Sequence, residues 1–341
     1  MILAAGVGSR LDPLTSEIPK PLCPILGKPV MEHIIKLCKK HGFINLAANT
    51  HVMADQISGY FRDAKERLGV TLNLVHEKNL TGIAGGIRSC KKYLTDETVL
   101  IIMGDALTDV DLSYLYEAHV KGNCPVTIGI KEVEDTSQFG VVVTDKNNRV
   151  ISFQEKPKLH EAKSNFANTG IYFFNQSILN EIPPESQAPK YDVATHLFQK
   201  IMSKNIPMQA QDINAYWADI GTLKQYHQSI KDALDGKVKI EIDPLSKIEG
   251  KVYLGEGVKI APNVTIKGCV YIEKNCVIDS NSYIDSSIIW SGSHIGKNVK
   301  VINSIIGNNC KVDDDIEIIS NSVWAPGTLV KANCKPAVVF K

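Results

Sequence analysis

An aliphatic side chain recurs at every sixth position over the C-terminal part of the chain, and this period constrains the fold more than any other feature. The series runs unbroken from Ile248 to Ile284, resumes at Ile289 after a one-residue deletion, and resumes at Ile306 after a second deletion. Six residues form one short strand with its turn, and three such units close one triangular coil. The sequence therefore predicts a left-handed parallel β-helix of hexapeptide repeats over residues 248–341.

A second inward position follows most members of the series by four residues and holds small or β-branched side chains. The cysteines Cys276, Cys310 and Cys334 fall at this position, so we expect them to face the interior. The complete series, which is aliphatic except for Trp324, comprises Ile248, Leu254, Ile260, Ile266, Ile272, Ile278, Ile284, Ile289, Ile295, Val301, Ile306, Val312, Ile318, Trp324 and Val330.

Residues 1–232 follow a different pattern, in which short apolar runs alternate with helical segments. Strands are predicted at residues 1–5, 45–50, 72–77, 98–105, 125–130, 140–145 and 170–174. Helices are predicted at residues 30–42, 54–69, 85–94 and 112–122, the last one capped by Asp111. This alternation indicates an α/β domain with a Rossmann-like, mostly parallel sheet, joined to the β-helix by a linker at residues 233–247.

The composition excludes several classes of protein. Lys and Arg number 38 against 37 Asp and Glu, so the net charge of +1 lacks the basic field that nucleic acid requires. No segment has the length and apolarity of a membrane span, and the start of the chain does not resemble a signal peptide. The eight cysteines form no C-x-x-C pair, which argues against a structural zinc site. We expect reduced, mostly buried thiols in a cytoplasmic protein.

Two glycines follow the first predicted strand, at Gly6 and Gly8. By themselves they fit a tight turn as well as a phosphate cradle, since the dinucleotide pattern fails at Leu11 and no P-loop lysine follows. Two nearby cations, Arg10 and Lys20, favour the phosphate interpretation. Asp105 ends an apolar strand, where a parallel sheet binds its ligands, although a turn cap is the alternative at this position.

Eight stretches carry a more specific resemblance. LAAGVGSRLDPLT (3–15) and PKPLCPILGKPVMEHII (19–35) resemble the opening of the sugar-1-phosphate nucleotidyltransferases, also called NDP-sugar pyrophosphorylases. The later stretches follow in the order of that family: TGIAGG (81–86), GDALTDVDL (104–112), FGVVV (139–143), FQEKP (153–157), NTGIYFF (168–174) and YWADIGT (216–222). The chain is most similar to bacterial mannose-1-phosphate guanylyltransferases with a C-terminal hexapeptide-repeat domain.

The resemblance implies a reaction in which a nucleoside triphosphate and a hexose 1-phosphate give an NDP-sugar and pyrophosphate. The sugar phosphate is mostly dianionic at pH 7, so no general base is needed, and the enzyme must position and stabilise charge. GTP and mannose 1-phosphate are the expected substrates. A glucose-1-phosphate uridylyl- or thymidylyltransferase is the alternative enzyme, and a regulatory pyrophosphorylase-like subunit is the non-enzyme alternative.

The resemblance also implies a set of site residues. The catalytic residues would be Arg10, Lys20, Asp105 and Asp219, with both aspartates binding Mg²⁺. The nucleotide would be bordered by Leu3, Ala5, Gly6, Gly8, Ser9, Gly82, Ala84 and Gly85. The sugar phosphate would be bound by Gly140, Glu155, Lys156, Asn168 and Thr169. One departure is Ile83, which stands where the family's base-binding loop usually has threonine.

The β-helix has three possible roles: self-association, an allosteric site, or a second, acyl-transferring site. Broad coil faces favour the first, so we expect a homo-oligomer, dimer or tetramer, that involves the β-helix. No nucleic acid or membrane partner is expected.

Overall fold

The computed structural model describes residues 1–242, 244–319 and 321–340, which divide into two compact units. Asp243 of the predicted linker, and Ser320 and Lys341 of the predicted repeat domain, lie outside the described residues. In the described part of the chain, no helix combines the length and apolarity needed to cross a membrane. The first unit comprises Met1–Val7, Ile34–Asp105 and Asp109–Trp217, and the second comprises Gly8–His33, Ala106–Thr108 and Ala218–Lys341.

A nine-stranded sheet forms the centre of the first unit. Its parallel half places Ile2–Leu3 between Asn45–Thr50 and Thr98–Met103, and Thr71–His76 pairs with the outer side of Asn45–Thr50. The strand residues 46–50 and 99–102 are buried, as expected for parallel strands that are covered on both faces. The predicted α/β class is confirmed.

The other half of the sheet is organised around the long strand Phe166–Asn175, which runs antiparallel to Thr98–Met103 and to Val126–Glu132. The apolar pattern of this strand resembles that of the parallel strands, so the sequence does not reveal its direction. The remaining strands of the sheet are Gly140–Thr144, Val150–Glu155 and Met208–Asp212.

The helices mostly begin and end near their predicted positions. The predicted helix 54–69 is instead two helices, because a turn at residues 61–63 buries Phe61 between them. The predicted Asp111 cap is confirmed, since its carboxylate accepts a 2.9 Å hydrogen bond from the Tyr114 amide. The α-helices are Val30–Lys40, Ala54–Tyr60, Ala64–Leu68, Ile83–Cys90, Leu112–Gly122, Gln176–Leu179, Phe198–Ser203 and Leu223–Leu234.

The second unit contains the β-helix, whose three ladders are parallel except at the two ends of the first. The first ladder contains Lys247–Glu249, Val252–Leu254, Val270–Ile272, Ile288–Ile289, Ile305–Ile306, Ser322–Trp324 and Val338–Val339. The second contains Lys259–Ile260, Val277–Ile278, His294–Ile295, Lys311–Val312 and Leu329–Val330. The third contains Thr265–Lys267, Tyr283–Asp285, Lys300–Ile302 and Glu317–Ile318.

The six-residue series from Ile272 to Val330 forms the core of the β-helix, as predicted. Three predicted inward positions are wrong. Ile248 lies on an antiparallel strand outside the coils and is 39% exposed, and Ile260 lies on the outermost strand of its ladder and is 40% exposed. Cys334 is exposed, because it follows the last strand of its ladder and no later coil covers it.

The rest of the second unit includes a less regular segment, Gly8–His33, the short strand Ala106–Thr108, and the helix Leu223–Leu234. The segment contains three short 3₁₀ turns at Ser9–Leu11, Leu14–Ser16 and Lys20–Leu22. A small hairpin follows them, formed by Pro24–Ile25 and Lys28–Pro29.

Candidate active site

The glycine loop after the first strand makes a tight turn at Gly8. Its φ of 76° lies in the left-handed region that favours glycine, and a Cβ there would lie 3.0 Å from the Cβ of Lys20. Thr15 holds the turn, since its Oγ1 lies 3.0 Å from the Gly8 carbonyl oxygen and 2.8 Å from Asp12 Oδ1. The backbone thus brings residues 8–10 next to the predicted catalytic lysine.

Lys20 is nearly buried, with 6% of its surface exposed. Pro19 and Pro21 flank it and fix the backbone dihedrals of the 3₁₀ turn in which it lies. Its Nζ is 3.6 Å from Asp219 Oδ1. A lysine held in this way supplies a positive charge in a fixed position, which suits a polyphosphate ligand.

Asp219 and Arg10 meet at Gly221. A Cβ at Gly221 would lie 2.6 Å from Asp219 Oδ2 and 3.2 Å from an Nη of Arg10. The absence of a side chain therefore leaves room for both charged groups. Three of the four predicted catalytic residues are brought together within the second unit.

Asp105 belongs to the first unit and lies two residues after the strand Thr98–Met103, where it is partly exposed. Asp219 is also partly exposed, with 28% of its side chain accessible. Among the described residues, no group of three histidine, cysteine or acidic side chains forms a closed metal site. An accessible carboxylate is the kind of oxygen ligand that Mg²⁺ prefers, so each aspartate by itself suits the predicted role.

The predicted base loop lies in the first unit at the start of the helix Ile83–Cys90. Gly82 has a φ of 79°, and a Cβ there would lie 2.6 Å from the Tyr191 carbonyl oxygen. The same carbonyl accepts a 2.9 Å hydrogen bond from the Gly85 amide, and the Tyr191 amide donates to Thr81 at 2.8 Å. Residues 82–85 are thus held against a second backbone segment, and at position 82 this segment leaves no space for a side chain.

A buried polar network, which the sequence motifs do not indicate, lies behind this loop. Glu77 accepts a 2.6 Å hydrogen bond from Asn49 Nδ2 through one carboxylate oxygen and a 2.7 Å bond from Thr81 Oγ1 through the other. Asn49 in turn accepts a 3.0 Å hydrogen bond from the Ala4 amide. The network joins the end of the first strand to the base loop. The available signal was an Asn and a Glu at the carboxyl ends of two parallel strands.

On the predicted sugar side, Gly140 pairs with Glu155 across two antiparallel strands of the first unit. A Cβ at Gly140 would lie 2.5 Å from the Phe153 ring and 3.3 Å from Glu155 Oε2, so glycine keeps this carboxylate accessible. Partial burial raises the pKa of Glu155, the positive charge of Lys156 opposes that shift, and the carboxylate of Asp192 adds to it.

Lys156 has a φ of 45°, and its amide donates a 3.1 Å hydrogen bond to the Phe139 carbonyl. Its ammonium is 3.9 Å from Glu155 and more than half exposed. The next two predicted sugar residues have partners within the sheet. Asn168 Nδ2 donates to the Tyr172 hydroxyl at 2.8 Å, and Thr169 Oγ1 donates to the Gly129 carbonyl at 2.6 Å.

Family models and related proteins of known name assign this chain to the same protein family. A family model described as nucleotidyl transferase matches residues 1–236, and one described as GMPPB C-terminal domain matches residues 237–339. A UTP–glucose-1-phosphate uridylyltransferase from Synechocystis is 35% identical over 345 residues, covering 92% of this chain and 88% of that protein. The catalytic subunit beta of mannose-1-phosphate guanylyltransferase from Danio rerio is 27% identical, covering 100% of this chain and 99% of that one.

A solved structure supports the fold. The structure described as a glucose-1-phosphate thymidylyltransferase from Bacillus anthracis superimposes with a TM-score of 0.61 and 24% identity, covering 70% of this chain and 96% of that one. With two family models that together span residues 1–339, and a relative at 35% identity over nearly all of its length, this chain belongs to the nucleotidyl transferase family of sugar-1-phosphate nucleotidyltransferases.

Proposed function

We propose that this nucleotidyltransferase makes GDP-mannose and pyrophosphate from GTP and mannose 1-phosphate. A phosphate oxygen of mannose 1-phosphate attacks the α-phosphorus of GTP, the bond from that phosphorus to the bridging oxygen breaks, and pyrophosphate leaves. No proton transfer is needed, because the attacking phosphate is already ionised. The protein has to align two anions and stabilise the negative charge that develops on the α-phosphate.

The cluster of charged groups in the second unit supports this chemistry. In the proposal, the backbone of residues 8–10 and the Arg10 guanidinium bind the β- and γ-phosphates, and the Lys20 ammonium binds the α-phosphate. Because Lys20 is nearly buried and held between two prolines, its ammonium group is already in position and moves little as the reaction proceeds. That fixed charge is what distinguishes it from an ordinary surface lysine.

Asp105 and Asp219 would hold Mg²⁺ together with phosphate oxygens, and the ion would offset the negative charge between the two substrates. Apart from the metal, Asp219 holds the Lys20 ammonium, 3.6 Å away, in one orientation. Lys156 and Glu155 would bind the sugar phosphate and the sugar hydroxyls, respectively.

The choice of GTP depends on Glu77. An ionised carboxylate accepts hydrogen bonds and donates none. Glu77 already accepts from Asn49 Nδ2 at one oxygen and from the Thr81 amide and hydroxyl at the other, so a lone pair is left on the oxygen bonded to Asn49. Guanine presents two adjacent donors, N1–H and the 2-amino group, whereas uracil presents one donor between two acceptors. A carboxylate beside the base loop therefore suits guanine, and an amide at the same place would suit uracil. The match of residues 237–339 to the GMPPB C-terminal domain supports the same choice.

A second candidate activity is UTP–glucose-1-phosphate uridylyltransferase, because a protein of that name is 35% identical to this chain. The two candidates differ in base and in sugar, but both use the same phosphate chemistry. They are separated by an activity matrix of five nucleoside triphosphates against mannose 1-phosphate and glucose 1-phosphate, measured by pyrophosphate release.

We expect GTP with mannose 1-phosphate to give the highest kcat/KM. Glu77→Gln should lower kcat/KM for GTP roughly 5- to 150-fold, which corresponds to about 1–3 kcal/mol, and should lower it less for UTP. Thr81→Val is the matched control, since it removes one hydrogen bond to Glu77 and leaves the carboxylate in place. The proposal is wrong if the wild-type enzyme prefers UTP with glucose 1-phosphate, or if both variants shift the base preference equally.

A further inference from the structure

The small hairpin that follows Lys20 is held by hydroxyl groups from outside its own segment. Tyr226, on the helix Leu223–Leu234, donates a 2.6 Å hydrogen bond from its hydroxyl to the Pro24 carbonyl. Tyr271, on the first ladder of the β-helix, accepts a 3.1 Å hydrogen bond from the Gly27 amide. Trp290 of the same ladder region donates from its indole nitrogen to the Tyr226 hydroxyl at 2.9 Å. We refer to Tyr226, Tyr271 and Trp290 as the aromatic clamp.

The aromatic clamp is buried, and its geometry is well defined. All three side chains are 0% exposed, and the Tyr226 and Trp290 rings meet edge to face with centroids 6.0 Å apart. Because the Tyr226 oxygen accepts from the indole, its own proton is directed to the Pro24 carbonyl. A buried chain of two hydrogen bonds of this kind fixes the position of the hairpin more closely than apolar contact alone does.

Lys20 lies immediately before the clamped hairpin. The Lys20 carbonyl accepts a 3.0 Å hydrogen bond from the Cys23 amide, and the Cys23 carbonyl accepts a 3.0 Å bond from the Val30 amide at the other side of the hairpin. Tyr226 also lies close to Asp219 in the sequence. The short stretch between them contains Thr222, which caps the helix that carries Tyr226. The clamp therefore holds both members of the Lys20–Asp219 ion pair through short, hydrogen-bonded pieces of backbone within one compact unit.

We propose that Tyr226, Tyr271 and Trp290 are positioning residues for Lys20, so that the β-helix completes the geometry of the phosphate site. The inference rests on the role proposed above for Lys20. Removing a clamp hydroxyl allows the hairpin and the lysine ammonium to shift, and a misplacement on the order of 1 Å can lower a rate by about 100-fold. Since Lys20 acts on charge that develops in the transition state, the loss falls on kcat and leaves KM for both substrates nearly unchanged.

The test uses the full-length protein with Tyr226→Phe and, as a second variant, Tyr271→Phe, each of which removes one hydroxyl and keeps the ring. We expect Tyr226→Phe to lower kcat at least tenfold with KM values within about threefold of wild type, and Tyr271→Phe to do the same to a smaller extent. Ser293→Ala is the matched control. The Ser293 hydroxyl is also buried in the second unit, donates to the Gly307 carbonyl and accepts from the Cys310 amide. It should lower the melting temperature and leave kcat unchanged.

A double-mutant cycle with Lys20→Met separates positioning from general destabilisation. If the clamp acts through Lys20, Tyr226→Phe has almost no further effect on kcat once the lysine is gone. The inference is overturned if Tyr226→Phe lowers kcat by the same factor in both backgrounds, or if Ser293→Ala lowers kcat as much as the clamp variants do. These measurements are made with whichever substrate pair the wild-type enzyme turns over fastest. A wrong assignment of GTP and mannose 1-phosphate therefore appears in the wild-type activity matrix and not in the cycle.

Discussion

The β-helix and the proposed phosphate site, which comprises residues 8–10, Lys20 and Asp219, lie in the same compact unit, yet the two regions are specified in opposite ways. In the β-helix, each coil repeats the same local backbone structure. A residue contacts its counterparts one coil away, 17 or 18 positions along the chain. In the phosphate site, Lys20 meets Asp219 across almost 200 residues, and no local pattern indicates the pairing. A fold can therefore be strongly specified by its period while its chemistry depends on single long-range contacts.

This difference between the two regions predicts that substitutions in one region mainly change activity and substitutions in the other mainly change stability. A substitution of Asp219 should lower activity more than stability, because this residue is partly exposed and, in the proposed function, serves the ligand. A substitution in the β-helix core should lower stability, because the residues there serve packing.

The largest expected effect is on catalysis. Asp219→Asn removes the charge that orients Lys20 and, in the proposed function, a metal ligand, so kcat should fall on the order of 1,000-fold. The unfolding midpoint should fall by less than the activity does, because Asp219 is partly exposed although Lys20, with only 8% of its side chain exposed, loses a nearby negative charge. Glu181→Gln is the control, because Glu181 forms comparable ion pairs with Lys200 and Lys204 and is similarly accessible. Turnover near the wild-type value in Asp219→Asn would refute the assigned role.

The next effect is on stability. Ile295 is 0% exposed in the β-helix core, and Ile295→Ala should lower the free energy of unfolding by about 2–5 kcal/mol through lost burial and the cavity that remains. Ile260 occupies the same position of the repeat on the outermost strand of the same ladder but is 40% exposed, so Ile260→Ala should cost much less. Urea unfolding followed by tryptophan fluorescence measures both. Equal losses for the two variants would show that the period alone, and not burial, sets the contribution of each repeat.

The same contrast explains what the sequence could predict. The period identified the β-helix and its core because each coil buries the same two positions, and it failed at Ile248, Ile260 and Cys334 because the end coils have no neighbour on one side. The corners of the coils carry a further sequence signal. One corner alternates Gly and Asn at positive φ, which are the residues that tolerate this conformation, at Gly257, Asn275, Gly292, Asn309 and Gly327.

The candidate site was recognised only in part, for a related physical reason. The glycine loop and Lys20 are local features with their own prolines and glycines, so the motif identifies them. The Asn49–Glu77 pair and the aromatic clamp join residues far apart in the chain, and each partner alone resembles an ordinary core or strand residue. Only the structure shows that they support the base loop and the segment that carries Lys20.

The smallest expected effect depends on pH and concerns a charged group inside the regular region. Glu273 of the β-helix is 9% exposed and accepts a 3.2 Å hydrogen bond from the Ser291 amide, and burial raises its pKa above the usual 4.5. The folded protein therefore binds this proton more tightly than the unfolded chain does. The resulting stabilisation is full below the unfolded pKa and is lost as the pH rises through the raised folded value.

Glu273→Gln, which is neutral at every pH, should accordingly raise the melting temperature at pH 8 and raise it less at pH 5.5. Glu317→Gln, at an exposed position of the same β-helix, is the control and should show no such trend. If Glu273→Gln is instead less stable than wild type at pH 8, the ionised carboxylate has a favourable partner there. The β-helix would then share with the phosphate site the use of a specific charge contact, and the contrast between the two regions would be weaker than their sequences indicate.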